Sequence, residues 1–226
     1  MSAQLVKLAT TPDLVDRVYR SLLDAISDGS LAPGQRVTQE DIAEQLAVSR
    51  QPVLQALRLL KKDGFIQDAP GRGVQVAPLD VRWMSKVYEV RGALDALAAR
   101  LAAERHQRID PALIARGRKA AQGRNVQAML DADMAFHQAI YAAADNPLIG
   151  SIADQHWRHL RRVMGAVLQT SQRDTVWDEH EAIAQAIAAG QGRRASELIE
   201  QHSRKASHAL AIRLNQVLKL TSGDKP

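Results

Sequence analysis

The sequence has no cysteine among its 226 residues. That absence excludes a disulfide scaffold, thiolate zinc fingers, iron–sulfur clusters and cysteine nucleophiles. It fits a reducing compartment, and cytoplasmic residence is the expectation. Aromatic residues make up only 4% of the chain, with two Phe, three Tyr and three Trp. Glycine (13) and proline (8) are too few for a collagen-like or low-complexity chain. No apolar run approaches the ~20 residues of a membrane span, and no membrane partner is expected. The N-terminus MSAQLVKLATTPD has no apolar core of the secretory type.

What is present is alanine-rich, apolar and mildly basic. Apolar residues reach 46%, and the net charge is +5. The excess does not mark one end as a nucleic-acid reader. Residues 1–78 hold nine Lys/Arg and nine Asp/Glu, so they are neutral. Motifs therefore have to carry the functional argument.

The patterning predicts two domains, 1–78 and 79–226. In the first, Thr11 and Pro12 suit a helix start. Leu14, Val18, Leu22 and Ile26 then recur at helical spacing up to Gly29. Leu31-Ala32-Pro33-Gly34 is a turn. Thr38-Gln39-Glu40-Asp41 resembles a capping box and opens a short helix through Leu46. Ser49 is expected to cap a third helix to about Asp63, with Val53, Ala56, Leu57 and Leu60 inward. Short strands follow at Phe65–Asp68 and Val74–Ala77, joined by the turn-rich Ala69-Pro70-Gly71-Arg72-Gly73. Three helices and a hairpin make a winged helix-turn-helix. After Pro78 the pattern is helical throughout, at about 80–105, 111–122, 125–144, 147–169, 174–189 and 193–220. This is the pattern of an antiparallel all-α bundle of about six helices, and the fold class is mainly α.

In a helix-turn-helix the second helix of the pair enters the major groove. Opposite its core face the third helix carries Arg50, Gln51, Leu54, Gln55, Arg58 and Lys61. Arg50 suits a guanine edge, and Gln51 or Gln55 an adenine edge. Arg58, Lys61 and Lys62 suit phosphates, and Arg72 sits at the wing tip. Thr38 and Ser49, at the starts of the two helices, join the candidate DNA-facing set. The alternative is a winged helix used for protein contacts, its charges a solvated face.

In the second domain, Asp133 and His137 lie at i, i+4 on the apolar stripe of one helix, with Met129, Leu130, Ile140 and Tyr141. His180 falls in line with Val176, Ile183 and Ile187. His202 falls among Ala195, Leu198, Ile199, Ala206 and Ala209. Burying such groups unpaired is costly. One divalent cation would satisfy all four together; hydrogen-bonded core histidines are the alternative. His106 and His208 read as peripheral, and His156 as a reserve ligand. Arg91 is either an anchor for a carboxylate or the partner of Asp95 at i+4.

Two resemblances sharpen this picture. The run Leu31-Ala32-Pro33-Gly34-Gln35-Arg36-Val37, with Asp41-Ile42-Ala43-Glu44-Gln45-Leu46-Ala47-Val48-Ser49-Arg50-Gln51-Pro52-Val53, resembles the GntR family of bacterial transcription regulators over residues 12–78. The resemblance implies a base-reading Arg50, with Ser49, Arg58 and Arg72 at the DNA surface. The family usually places Arg and then Glu after Pro-Val, where this chain has Leu54 and Gln55. A leucine there gives up a polar contact and suits a thymine methyl.

The run Asp133-Met134-Ala135-Phe136-His137-Gln138-Ala139-Ile140, then Asp145-Asn146-Pro147-Leu148, with His180-Glu181-Ala182-Ile183 and His202, resembles the helical ligand domain of the FadR branch of that family. It implies that Asp133, His137, His180 and His202 bind a divalent metal, with zinc favoured and nickel or manganese as alternatives. Together the resemblances imply a homodimeric repressor of operator DNA, controlled by a small organic acid. The competing expectations are a regulator that answers to the metal itself, a structural metal beside an apolar effector, and a metallohydrolase. The last lacks an evident general base.

Overall fold

A computed structural model of the chain describes residues 14–71, 73–167 and 174–221. The expected helix start at Thr11 and Pro12 and the wing-tip Arg72 lie outside them. The chain divides into two compact units, Met1–Pro78 and Leu79–Pro226.

In the first unit α1 (Leu14–Asp28) buries Val18, Leu22, Leu23 and Ile26, the helical stripe of the sequence. Thr38 caps α2 (Gln39–Gln45) by accepting from the Asp41 backbone N–H at 3.1 Å. Ser49 stands at the N-cap position of α3 (Arg50–Lys62), but its hydroxyl makes no capping hydrogen bond. That expected role is corrected. Gly64, at φ +78°, turns the chain out of α3 where an L side chain would be strained.

The hairpin β2 (Ile66–Asp68) and β3 (Val74–Val76) pairs antiparallel, Ile66 opposite Val76. A third strand, β1 (Arg36–Val37), pairs with the other edge of β3, giving the order β1-β3-β2. Two residues are too short to show a period of two, so the sequence pattern missed β1. Its consequence is that β3 is central and has no open edge. Val53, Ala56, Leu60, Phe65 and Val76 fill the core between α3, α1 and the sheet.

The second unit comprises α4 (Val81–Glu104), α5 (Pro111–Ala121), α6 (Val126–Ala143), α7 (Pro147–Val167), α8 (Asp174–Ala188) and α9 (Gly192–Thr221). Their starts are chemically marked. Asp80 caps α4, Asp110 precedes Pro111 at the head of α5, and Asn125 caps α6. α4 touches α6, α7, α8 and α9, so it is the axis of the bundle. Half of the residues from 93 to 104 are alanine, and Ala96, Ala98, Ala99, Ala102 and Ala103 are buried. Small side chains let neighbouring helices approach closely around it.

The bundle has two apolar clusters. One contains Met84, Val87, Tyr88, Leu130, Leu160, Leu210 and Leu214. The other contains Ala98, Ala102, Phe136, Ile140, Ile183, Ile187 and Ile199. Along α4, α6 and α9 the residues between the two are polar and buried: Arg91 and Asp95, Asp133 and His137, His202 and Ser203. A charged layer is thus inserted across a hydrophobic bundle.

Candidate metal centre and nucleic-acid face

Each side chain of the layer is delivered by helical spacing and then fixed by a neighbour. Asp133 and His137 come from α6, His180 from α8 and His202 from α9, and all four are buried. His180 Nε2 lies 3.2 Å from His202 Nε2 and 3.6 Å from Asp133 Oδ1. The rings of His137 and His180 are 5.5 Å apart, and those of His137 and His202 5.6 Å. Each of the three imidazoles offers a nitrogen within 4.8 Å of the other two.

The ring of His180 is stacked on Phe136 at 4.2 Å and meets the edge of Trp177 at 4.7 Å. Trp177 in turn needs Gly117 on α5. A Cβ there would stand 2.0 Å from the indole. His202 donates from Nδ1 to Glu179 Oε2 at 2.9 Å, leaving Nε2 to face His180. Lys205 holds the other Glu179 oxygen at 2.7 Å. The hydrogen bond from His202, with that from Lys205, lowers the Glu179 carboxyl to about 2 against the cost of burial. A carboxylate behind an imidazole orients it and raises its basicity toward a metal.

Arg91 forms the intrahelical pair with Asp95, Nε to Oδ2 at 3.2 Å, and both side chains are buried. Its NH2 group also lies 2.9 Å from His137 Nε2. A guanidinium only donates, so Nε2 accepts. The proton of the neutral ring then sits on Nδ1, which faces Asp95 Oδ2 at 3.6 Å. Burial, and then the charge of Arg91, lower the His137 pKa. The ring is therefore neutral at pH 7, as a metal ligand must be.

The guanidinium lies 3.8 Å from the centre of the Trp157 ring. Burial is the largest single influence on Arg91 and on Asp95 and works against both charges. It is outweighed for Asp95 by Arg91 together with His137 and Tyr141, and for Arg91 by Asp95 together with its other polar neighbours. The Asp95 pKa falls and the Arg91 pKa rises. Tyr141 also donates to Asp95, and burial beside that carboxylate raises its own pKa.

The donor set suits a divalent cation on spacing as well as chemistry. Imidazole nitrogens bind zinc at about 2.0–2.1 Å, which sets two of them roughly 2.8–3.4 Å apart across octahedral or tetrahedral angles. His180 and His202 already stand at that separation. A cavity of about 230 Å³ opens beside the layer, lined by Arg91, Asp133, Glu179, His202, Lys205 and Arg213 among others.

Of the other histidines, His156 is half-buried on α7 and outside the three-imidazole group, while His106 and His208 are exposed. Sequence patterning missed Glu179 and Phe136. Phe136 stands three residues after Asp133 and four before Ile140, so helical spacing could have found it, whereas Glu179 acts across to α9.

On the first unit Thr38, Ser49, Arg50, Gln51 and Arg58 are exposed, as a DNA-facing set would be. Leu54 and Gln55 are half-buried, so Leu54 is less open than a solvent-facing stripe suggested. Arg50 is held by Glu40 at 2.9 Å. Lys61, expected on phosphate, instead bridges to Asp68 of β2 at 2.7 Å. Arg36 of β1 donates to the Pro70 carbonyl and ties down the wing turn.

A profile of the FCD domain matches residues 86–205. The profile of bacterial regulatory proteins of the gntR family matches residues 14–76. The HTH-type transcriptional regulator LutR of Bacillus subtilis (strain 168) is 29% identical over 212 residues, covering 78% of this chain and 92% of LutR. The uncharacterized HTH-type transcriptional regulator YdhC of the same organism is 32% identical over 83 residues, and that match spans only 37% of each chain. Among solved structures, E. coli McbR/YncC superposes with a TM-score of 0.73 at 20% identity, covering 88% of this chain and 98% of that one. At that identity the likeness is one of fold.

Proposed function

The chain belongs to the GntR family of bacterial transcriptional regulators with an FCD domain, and from that premise we propose that it is a homodimeric repressor controlled by a divalent cation and a small carboxylate. The observation that carries the reading is the 3.2 Å approach of two Nε2 atoms inside a buried layer that also holds Asp133 and His137. Asp133, His137, His180 and His202 hold the cation, zinc by preference. When bound, it supplies a Lewis-acid anchor for a carboxylate oxygen. Arg91, which lines the same cavity, grips the acid from the other side. The two matched domains are those of a DNA-binding regulator, so the metallohydrolase reading is set aside.

On this reading α3 of the first unit enters the major groove. Arg50 leaves Glu40 for a guanine edge, Gln51 and Gln55 face adenine, and Leu54 faces a thymine methyl. Thr38, Ser49 and Arg58 contact phosphates, with Arg72 on the adjacent backbone. Exposed Trp83 and Val90 of α4 and Leu148 and Ile152 of α7 offer an apolar dimer face. Trp83 meets His159 of α7 edge-on at 6.1 Å, which sets the two helices side by side there.

One observation favours a second reading, in which the cation itself is the signal. Arg91 donates to His137 Nε2, so a cation at that atom has to displace the guanidinium. The two readings separate in one experiment. DNA sites are selected from a random pool, and their binding is measured with cation-loaded and chelator-treated protein across a panel of carboxylic acids. Release that needs both cation and acid supports the first reading. Release set by the cation alone supports the second. Affinity indifferent to both contradicts the proposal.

A further inference from the structure

We infer that the acid taken by the second unit is a dianion, such as a small dicarboxylate, and that Arg213 is the residue that selects for its second charge. The inference rests on the metal-and-acid reading above and extends it to the class of ligand.

The argument is one of charge in a small cavity. The cavity is about 230 Å³, below the range of roughly 300–1,000 Å³ usual for drug-sized ligands. A compact acid matches that volume. Among the described residues five charged side chains line it: Arg91, Lys205 and Arg213 against Asp133 and Glu179. Two of the cations already have partners. Arg91 pairs with Asp95 behind the wall, and Lys205 pairs with Glu179. Asp133 stands beside His180 as a ligand of the cation.

The side chain of Arg213, half-buried on α9, makes no hydrogen bond or ion pair among the described residues. It offsets the charge of Asp133, and the two pairs cancel. A divalent cation then leaves two positive charges in the cavity. A monocarboxylate neutralises one of them, and a dicarboxylate neutralises both. Without Arg213 the same count leaves a single positive charge, and a monoanion suffices.

Geometry supports the count. Arg213 lies eleven residues beyond His202 on α9, three helical turns and roughly 16 Å of rise along the helix. Its long side chain nevertheless reaches the wall that His202 lines. A ligand anchored at one end by the cation and Arg91 therefore meets the Arg213 guanidinium at its other end. The fork of a guanidinium is suited to a second carboxylate.

The test uses zinc-loaded full-length protein and pairs of acids that differ only in one end group. Succinate is compared with butyrate, and L-malate with 2-hydroxybutyrate, by isothermal titration. The wild type is expected to bind each dicarboxylate about tenfold or more tightly than its partner. Arg213→Met is expected to abolish that preference, bringing each dicarboxylate to about the affinity of its matched monocarboxylate, with zinc content and melting temperature unchanged. Equal affinities within each pair, or a preference that survives Arg213→Met, overturn the inference and leave the metal-and-acid reading standing. If zinc binds and none of the four acids does, that reading fails and the inference fails with it.

Discussion

His180 and His202, on different helices and 22 positions apart, meet with their Nε2 atoms 3.2 Å apart. Glu179 Oε2 accepts a hydrogen bond from His202 Nδ1 behind the ring. When both rings are neutral, one Nε2 has to donate to the other. A cation removes that constraint, because both lone pairs then point at the same ion. The stacking of Phe136 on His180 and the Glu179 bond to His202 hold both rings in place before any ion arrives. Such preorganisation lowers the ordering cost of binding.

Glu179→Gln tests whether that support matters. The amide keeps the shape but loses the charge that orients His202 and raises its basicity. Zinc affinity is expected to fall about 10–100-fold, with the circular-dichroism spectrum unchanged. Competition with a chromogenic chelator measures it, and an unchanged affinity would show that His202 needs no carboxylate behind it.

Gly117→Ala tests the outer packing. The new Cβ would enter the space of the Trp177 indole, so the ring has to shift, and with it the edge that contacts His180. Overpacking of this kind costs about 1–3 kcal/mol, and each kcal/mol lowers the melting temperature of a chain this size by about 2–4 °C. Tryptophan fluorescence should change at the same time. A variant with wild-type stability and spectrum would contradict the placement of Trp177.

DNA recognition divides by residue. Arg50→Ala should lose roughly 1–3 kcal/mol of discrimination at one base pair of each half-site. Arg58→Ala should weaken all sequences alike and reduce the salt slope by about one. Leu54→Arg should change the preferred base at the position Leu54 faces. Site selection on each variant reads all three, and an unchanged preference in Leu54→Arg would remove Leu54 from the recognition surface.

The apolar face on α4 and α7 is tested by oligomeric state. Trp83 and Ile152 are 53% and 47% exposed in the single chain. The double variant Trp83→Asp, Ile152→Asp should sediment as a 24.8 kDa monomer, and the wild type at twice that mass. A dimer that persists in the variant places the interface elsewhere.

Much of the fold was legible because its punctuation is local. Gly29, Gly64, Pro111, Pro147 and Gly190 each stand at or beside a helix end, where backbone chemistry requires a break. The stripe that carries Asp133 and His137 was legible for the same reason, since their direction follows from 3.6 residues per turn. The fate of Arg91 was not. Its i, i+4 spacing to Asp95 is equally good on a surface or in a core, and only the central position of α4 decides between them. Glu179 was hidden because its role depends on a neighbour from α9. β1 was hidden because two residues have no period. Ser49 shows the opposite error, since a residue type favoured at an N-cap took the position without making the bond.

The central claim is that the buried layer of the second unit is a cation site. Isothermal titration of zinc into chelator-treated protein tests it most directly, with His180→Ala and His202→Ala beside the wild type. The account predicts one zinc per chain for the wild type. It also predicts a rise in melting temperature on loading, because an ion that binds the native state at 100 times its dissociation constant adds about 2.7 kcal/mol. Both effects should be lost in either variant. Wild-type protein that takes up no zinc, nickel or manganese, or variants that bind as tightly as the wild type, would contradict the account.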